Sequence, residues 1–175
     1  MNNSIIDQAT RTIGVLTTAI GLQRLRNDFS TVEKTTITSK TILDTCNKLG
    51  ISANELDVNY YTTTFENWQI ITSTLYAIVK NFPWTADTFD CDNRAGFVQH
   101  LCALITGLNT CSDAFCKITN IVSGATDMHH PNLIIDNLGN AYIFDVDNGG
   151  VFQKITANGF IANNWKYNLQ GIRIG

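Results

Sequence analysis

Apolar residues in the first part of the chain recur mostly at helical spacing, and later ones cluster in short strand-like runs. Ile6, Ala9, Ile13, Leu16 and Ile20 form one stripe, with Ser4 and Asp7 placed to open a helix. Thr31 to Thr38 is Thr-rich, short of apolar residues, and reads as a connection. Ser39 is positioned to cap a second helix that presents Ile42, Leu43, Cys46 and Leu49 and stops at Gly50. Asp57 to Phe65 is β-prone. A third helix is expected from Asn67 to Lys80, burying Trp68, Ile71, Leu75 and Ile78, before Phe82-Pro83-Trp84 ends it. A fourth starts at Asp90-Cys91, with Ala95, Val98, Leu101, Cys102, Ile105 and Leu108 on one stripe and Gly107 or Asn109 closing it. Strand-like runs follow at Phe115 to Val122, Asn132 to Asp136, Ala141 to Val146, Val151 to Thr156 and Ile172 to Ile174, separated by Gly and Asn turns.

Helices first and antiparallel strands afterwards predict an α+β domain. Residues 1–30 are expected to be an amphipathic helical appendage and residues 31–175 the main domain.

Composition narrows the picture. A chain of 175 residues with 44% apolar content can bury a core without staples. A formal net charge of -3 gives no electrostatic case for nucleic acid or an anionic membrane as main partner. Charged residues are only 15%, so Asn, Thr and Ser cover much of the surface, a style found in AT-rich microbial and phage genomes. No apolar run reaches the roughly 18 residues of a membrane span, and the N-terminus makes a poor signal peptide. A cytoplasmic location, or a phage particle, is therefore expected.

The five cysteines, Cys46, Cys91, Cys102, Cys111 and Cys116, read as reduced thiols. Cys111 and Cys116, followed by His129 and His130, lack the paired C-x2-C knuckle of common zinc sites, so no metal is expected. Nor is there a nucleotide, flavin or haem motif, and no cofactor is expected.

Cys91 is the cysteine whose position invites chemistry. It opens a helix, where unpaired N–H groups and the dipole favour a thiolate and could hold an oxyanion. Asp90 and Asp92 oppose this, so an imidazole partner is needed. A hairpin over Asn132 to Val146, centred on Leu138, sets opposite each other residues whose numbers sum to 276. His129 and Asp145 then share a face at diagonal positions roughly 7 Å apart at Cβ, close enough for the carboxylate to orient the ring. His130 points the other way, and a one-residue slip would exchange the two. Plainer readings stand beside this one. A helical cysteine is usually packing, and Asp145 with Asp147 and Asn148 can form an Asx turn or a weak cation site.

The segments Phe89-Asp90-Cys91-Asp92-Asn93-Arg94-Ala95, His129-His130-Pro131-Asn132 and Ala141-Tyr142-Ile143-Phe144-Asp145 occur in that order. Together they resemble the papain-like/transglutaminase-like cysteine peptidases, closest to small microbial and phage proteins with an F-D-C-D-[DN]-x-A, H-x-x-N and strand-Asp pattern. Two residues depart from these families: Arg94 stands where they usually have an apolar or aromatic residue, and Val146 follows Asp145 where Pro is common. The resemblance implies a papain/transglutaminase-like fold, with N-terminal helices packed on an antiparallel sheet. It further implies a hydrolase, a thiol protease or amidase in which Cys91 attacks a peptide or amide substrate to form a thioester, His129 moves the proton and Asp145 orients it. The alternative is a phage virion or assembly protein that keeps the fold with little turnover and associates with itself or a virion partner through its N-terminal helix.

Overall fold

The computed structural model describes residues 19–54 and 57–173. Ser4, Asp7, Ile6, Ala9, Ile13 and Leu16 of the expected first helix lie outside them, as does Ile174. Among the described residues, α1 (residues 19–28) leans Leu22 and Leu25 on the core, and Phe29 just beyond it is buried.

The Thr-rich connection ends in a strand, β1 (Thr35–Thr38), which pairs antiparallel with β3 (Asn59–Thr62) in a small sheet of its own. Threonine is β-branched and suits a pleated backbone, so a connection by composition becomes a strand once a partner is available. Between these strands come α2 (Ser39–Leu49) and β2 (Ser52–Asn54). Thr38, not Ser39, is the N-cap of α2: its backbone is extended and its hydroxyl accepts from Thr41 N–H at 3.4 Å. Gly50 ends α2 at φ 67°, a conformation that suits glycine. Next, α3 (Phe65–Val79) opens at a Thr64 cap, and α4 (Cys91–Thr106) closes at Gly107.

The remaining strands are β4 (Cys111–Asn120), β5 (Thr126–His129), β6 (Asn132–Ile135), β7 (Ala141–Asp145), β8 (Val151–Ile155), β9 (Ile161–Ala162) and β10 (Trp165–Arg173). The main sheet runs β2-β10-β4-β6-β7-β8, with β5 also on β4 and β9 on β10. The β6–β7 register pairs Asn132 with Phe144 and Ile135 with Ala141, as the hairpin centred on Leu138 requires. Its turn is set by Asp136, whose Oδ1 accepts from the N–H groups of Leu138 and Asn140.

Successive residues of β6 and β7 feed two different cores. Leu133, Ile135, Ala141 and Ile143 face Ile42, Cys46 and Leu49 of α2. Ile134, Tyr142 and Phe144 face Trp68, Ile71 and Leu75 of α3 and Val98, Leu101 and Ile105 of α4. The sheet is thus covered on both sides, which explains why β6 and β7 are buried at every position.

The expected papain/transglutaminase-like α+β layout is corrected on these points. Helices lie on both faces of an eight-stranded sheet, β2 inserts between helices and pairs parallel with β10, and β1–β3 form a second sheet. Order along the chain could not show this, because β2 is three residues long and finds its partner beyond residue 170. Among the described residues, no helix is long and apolar enough to cross a membrane.

Candidate functional site

Cys91 is the first residue of α4 and is half-buried, whereas the other four thiols are buried. Asp90 occupies the N-cap with an extended backbone, but its side chain makes no capping hydrogen bond. It shares a hydrogen bond with Asp92 instead, which raises the carboxyl of Asp90 and lowers that of Asp92.

His129, the last residue of β5, is buried, and so is Asp145 at the end of β7. The imidazole Nε2 lies 2.8 Å from Asp145 Oδ2, and the Cys91 thiol is near enough to the ring to raise its proton affinity. The structure thus brings Cys91, His129 and Asp145 into one chain of contacts. Burial alone would lower the imidazole's proton affinity. The bonds to Asp145 and Cys91, with their charges, outweigh it and push His129 up to about 10. At neutral pH the ring is an imidazolium placed between sulfur and carboxylate.

Asp145 is held by more than the ring. Its Oδ1 accepts from the N–H groups of Asp147 and Asn148 at 3.0 and 3.2 Å, an Asx turn. Its Oδ2 also accepts from the Tyr167 hydroxyl at 2.7 Å, and that oxygen accepts from Asn148 Nδ2 at the same distance. Burial would raise the carboxyl, but the His129 bond and charge, with these donors, hold Asp145 below the usual carboxylate range.

His130 turns away and sits 3.0 Å from Asp113 Oδ1. Cys111 lies against Cys102, and Cys116 donates to the His129 carbonyl, so these thiols and histidines do not converge. Among the described residues, no His, Cys, Asp and Glu group is arranged to hold a metal ion.

Sequence reasoning missed Tyr167, whose position in β10 is read only from long-range pairing. It noted Arg94 and Asn132 without their contacts. Asn132 donates to the Ala95 carbonyl at 2.9 Å, tying the hairpin to α4. Arg94 Nε lies 2.7 Å from Asp147 Oδ1 and its Nη1 donates to the Phe82 carbonyl at 2.6 Å.

A concave region lies on α3 and the β6–β7 hairpin. Phe65, Tyr142 and Phe152 stack with centroids 5.1–5.8 Å apart and planes within 28° of parallel. They wall an open pocket of about 460 Å³ with Glu66, Asp136, Asn137, Asn140 and Lys154.

No protein-family model matches the chain, and no curated protein does. Solved structures do. One described as "PSL1a-E64 complex" superposes with a TM-score of 0.57 at 18% identity, covering 79% of this chain and 51% of that one. Another is Polyporus squamosus lectin bound to the human-type influenza-binding epitope Neu5Acα2-6Galβ1-4GlcNAc, with a TM-score of 0.54, 19% identity and coverage of 79% and 49%. The fold is shared with a lectin chain. This chain spans about half the length of the solved chains it matches.

That likeness overturns the papain/transglutaminase-like family assignment, and with it the reading as a cysteine hydrolase, thiol protease or amidase acting on a peptide or amide substrate. The error has a physical source. The three motifs specify a helix start, a strand entry and a strand end, all local features, whereas strand order and helix placement are set by pairings far apart in sequence.

Proposed function

We propose that the chain is a carbohydrate-binding module that works by recognition. The observation that carries this reading is the pocket walled by Phe65, Tyr142 and Phe152. A pyranose offers an apolar C–H face and an edge of hydroxyls. Aromatic walls suit the first, and a few fixed polar groups suit the second. The polar groups here are organised in advance: Asp136 Oδ2 accepts from Asn140 Nδ2 at 2.9 Å and from the Tyr142 hydroxyl at 2.8 Å. Glu66 and Lys154 add an acceptor and a donor at the rim. The lectin bound to a sialylated trisaccharide, which shares the fold, supports the same ligand class.

Titration calorimetry with Neu5Acα2-6Galβ1-4GlcNAc and with its asialo disaccharide tests the proposal. Binding of either that weakens about tenfold or more in Phe152→Ala and Lys154→Ala supports it. Absence of binding at millimolar sugar, or binding that both variants leave unchanged, overturns it.

One observation favours a second property. The contact chain from Cys91 through His129 to Asp145 points to a thiol-centred ligand site, in which the sulfur is the binding atom, His129 its partner and Asp145 the orienting group. The similar structure described as a complex with E64 supplies a probe. If E64 protects Cys91 from iodoacetamide in the wild type and not in His129→Ala, the site is real. Equal alkylation with and without E64, at a rate no greater than that of a thiol in the unfolded chain, would remove it.

A further inference from the structure

From the contacts of Arg94 we infer that it is a positioning residue, which sets the Cys91–His129 contact by locking α4 to the turn that carries Asp145. The inference rests on the thiol-site reading.

Arg94 lies in the first turn of α4, three residues after Cys91, and is buried. Its backbone N–H donates to the Asp90 carbonyl at 2.9 Å, so its main chain belongs to the turn that holds the thiol. Three contacts fix its side chain. Nε meets Asp147 Oδ1 at 2.7 Å, Nη1 reaches the Phe82 carbonyl at 2.6 Å, and the guanidinium stands 5.8 Å over the Phe89 ring. Asp147 is two residues past Asp145, and its N–H donates to Asp145 Oδ1. A path of short contacts therefore runs from the thiol's own turn, through Arg94 and Asp147, to the carboxylate that holds His129.

That path closes a loop. Cys91 meets His129, His129 meets Asp145, Asp145 joins Asp147, and Arg94 returns to the start of α4. In this loop the Arg94–Asp147 ion pair joins the helix start to the turn after β7, beside the Asn132–Ala95 bond that ties α4 to β6. The guanidinium spans two groups at once, Nη1 donating to the Phe82 carbonyl while Nε forms an ion pair with Asp147 that lacks hydrogen-bond alignment, a span a lysine ammonium cannot reproduce.

The test reads the pH profile of Cys91 alkylation by iodoacetamide in the full chain. In this reaction the sulfur–carbon bond forms, iodide leaves, and the thiol proton passes to solvent, while the His129 imidazolium stabilises the thiolate. Arg94→Gln is expected to slow Cys91 alkylation roughly tenfold at neutral pH. At about pH 10.5 it should stay within roughly twofold of the wild type, because free thiols then ionise without help. Arg94→Lys should recover only part of the loss. Asp147→Asn removes the other end of the bridge from a more accessible place and should show the same profile. It also carries the test if Arg94→Gln fails to fold. The double variant should be no slower than the slower single one. A loss equal at both pH values would mean altered access alone and would overturn the inference. If His129→Ala leaves the neutral rate unchanged, the thiol site itself fails. If His129→Ala slows it while Arg94→Gln and Asp147→Asn do not, only the role of Arg94 fails.

Discussion

His129 and Asp145 touch at 2.8 Å although their strands are not neighbours: β5 pairs with β4, and β7 pairs with β6 and β8. The pair is therefore a tertiary bond between the strand entry before the hairpin and the hairpin's second arm. Its carboxylate is almost fully enclosed, at 1% exposure. Asp145→Asn keeps the shape but removes the counter-charge that keeps the buried imidazole protonated. We expect a loss of about 3 kcal/mol, read as a lower urea midpoint with an unchanged m-value.

Stability should also depend on alkaline pH. The folded state holds the His129 proton up to about pH 10, against 6.5 ordinarily, so the folded chain binds it more tightly than the unfolded chain. This contribution is complete below about pH 6.5 and disappears as the pH rises towards 10. The slope is at most about 1.4 kcal/mol per pH unit for one group. Urea titrations across that range should show the decline, and His129→Gln should flatten it.

The five cysteines should separate sharply in a thiol count. Cys46, Cys102, Cys111 and Cys116 are at most 1% exposed, and burial pushes the Cys46 thiol up to about 11. One thiol, Cys91, should react with a disulfide reagent in the native protein, and all five after unfolding. Two fast native thiols would contradict the packing described.

Gly150 sits at φ 72°, and a Cβ there would approach the Tyr76 ring to 2.5 Å. Gly150→Ala is expected to cost about 2 kcal/mol through overpacking and backbone strain. Thermal melting should show it, with part of the loss recovered in Tyr76→Ala/Gly150→Ala.

The parts of this protein that were legible in the sequence are those fixed over short spans. The start of α4 at Cys91, its Gly107 stop and the Asn132-to-Ala141 register follow from local spacing and turn residues. The Cys91, His129 and Asp145 set was named from the same signals, and the three side chains do meet. What did not show was long-range. Thr126 to His129 is polar and exposed for three of four residues, so nothing in it announces a strand until β4 is beside it. Lys166, Asn168 and Gln170 interrupt β10, which left only its end visible and hid Tyr167. The family resemblance failed for the same reason, since its motifs carry no information on which strand joins which.

The pairing of β10 bears on how the molecule is made. Ser52 Oγ donates to the Gln170 carbonyl, 118 residues away, and β10 covers Asp113 to Asn120 on the side of β4 that faces away from β5 and β6. Until residues 165–173 leave the ribosome, that edge of β4 from Asp113 to Asn120 has no partner in the main sheet. Bare edges of this length recruit other strands, so nascent chains stalled before residue 165 are the species from which aggregates would grow. Such non-local closure also belongs to slowly folding topologies, which lengthens the exposure.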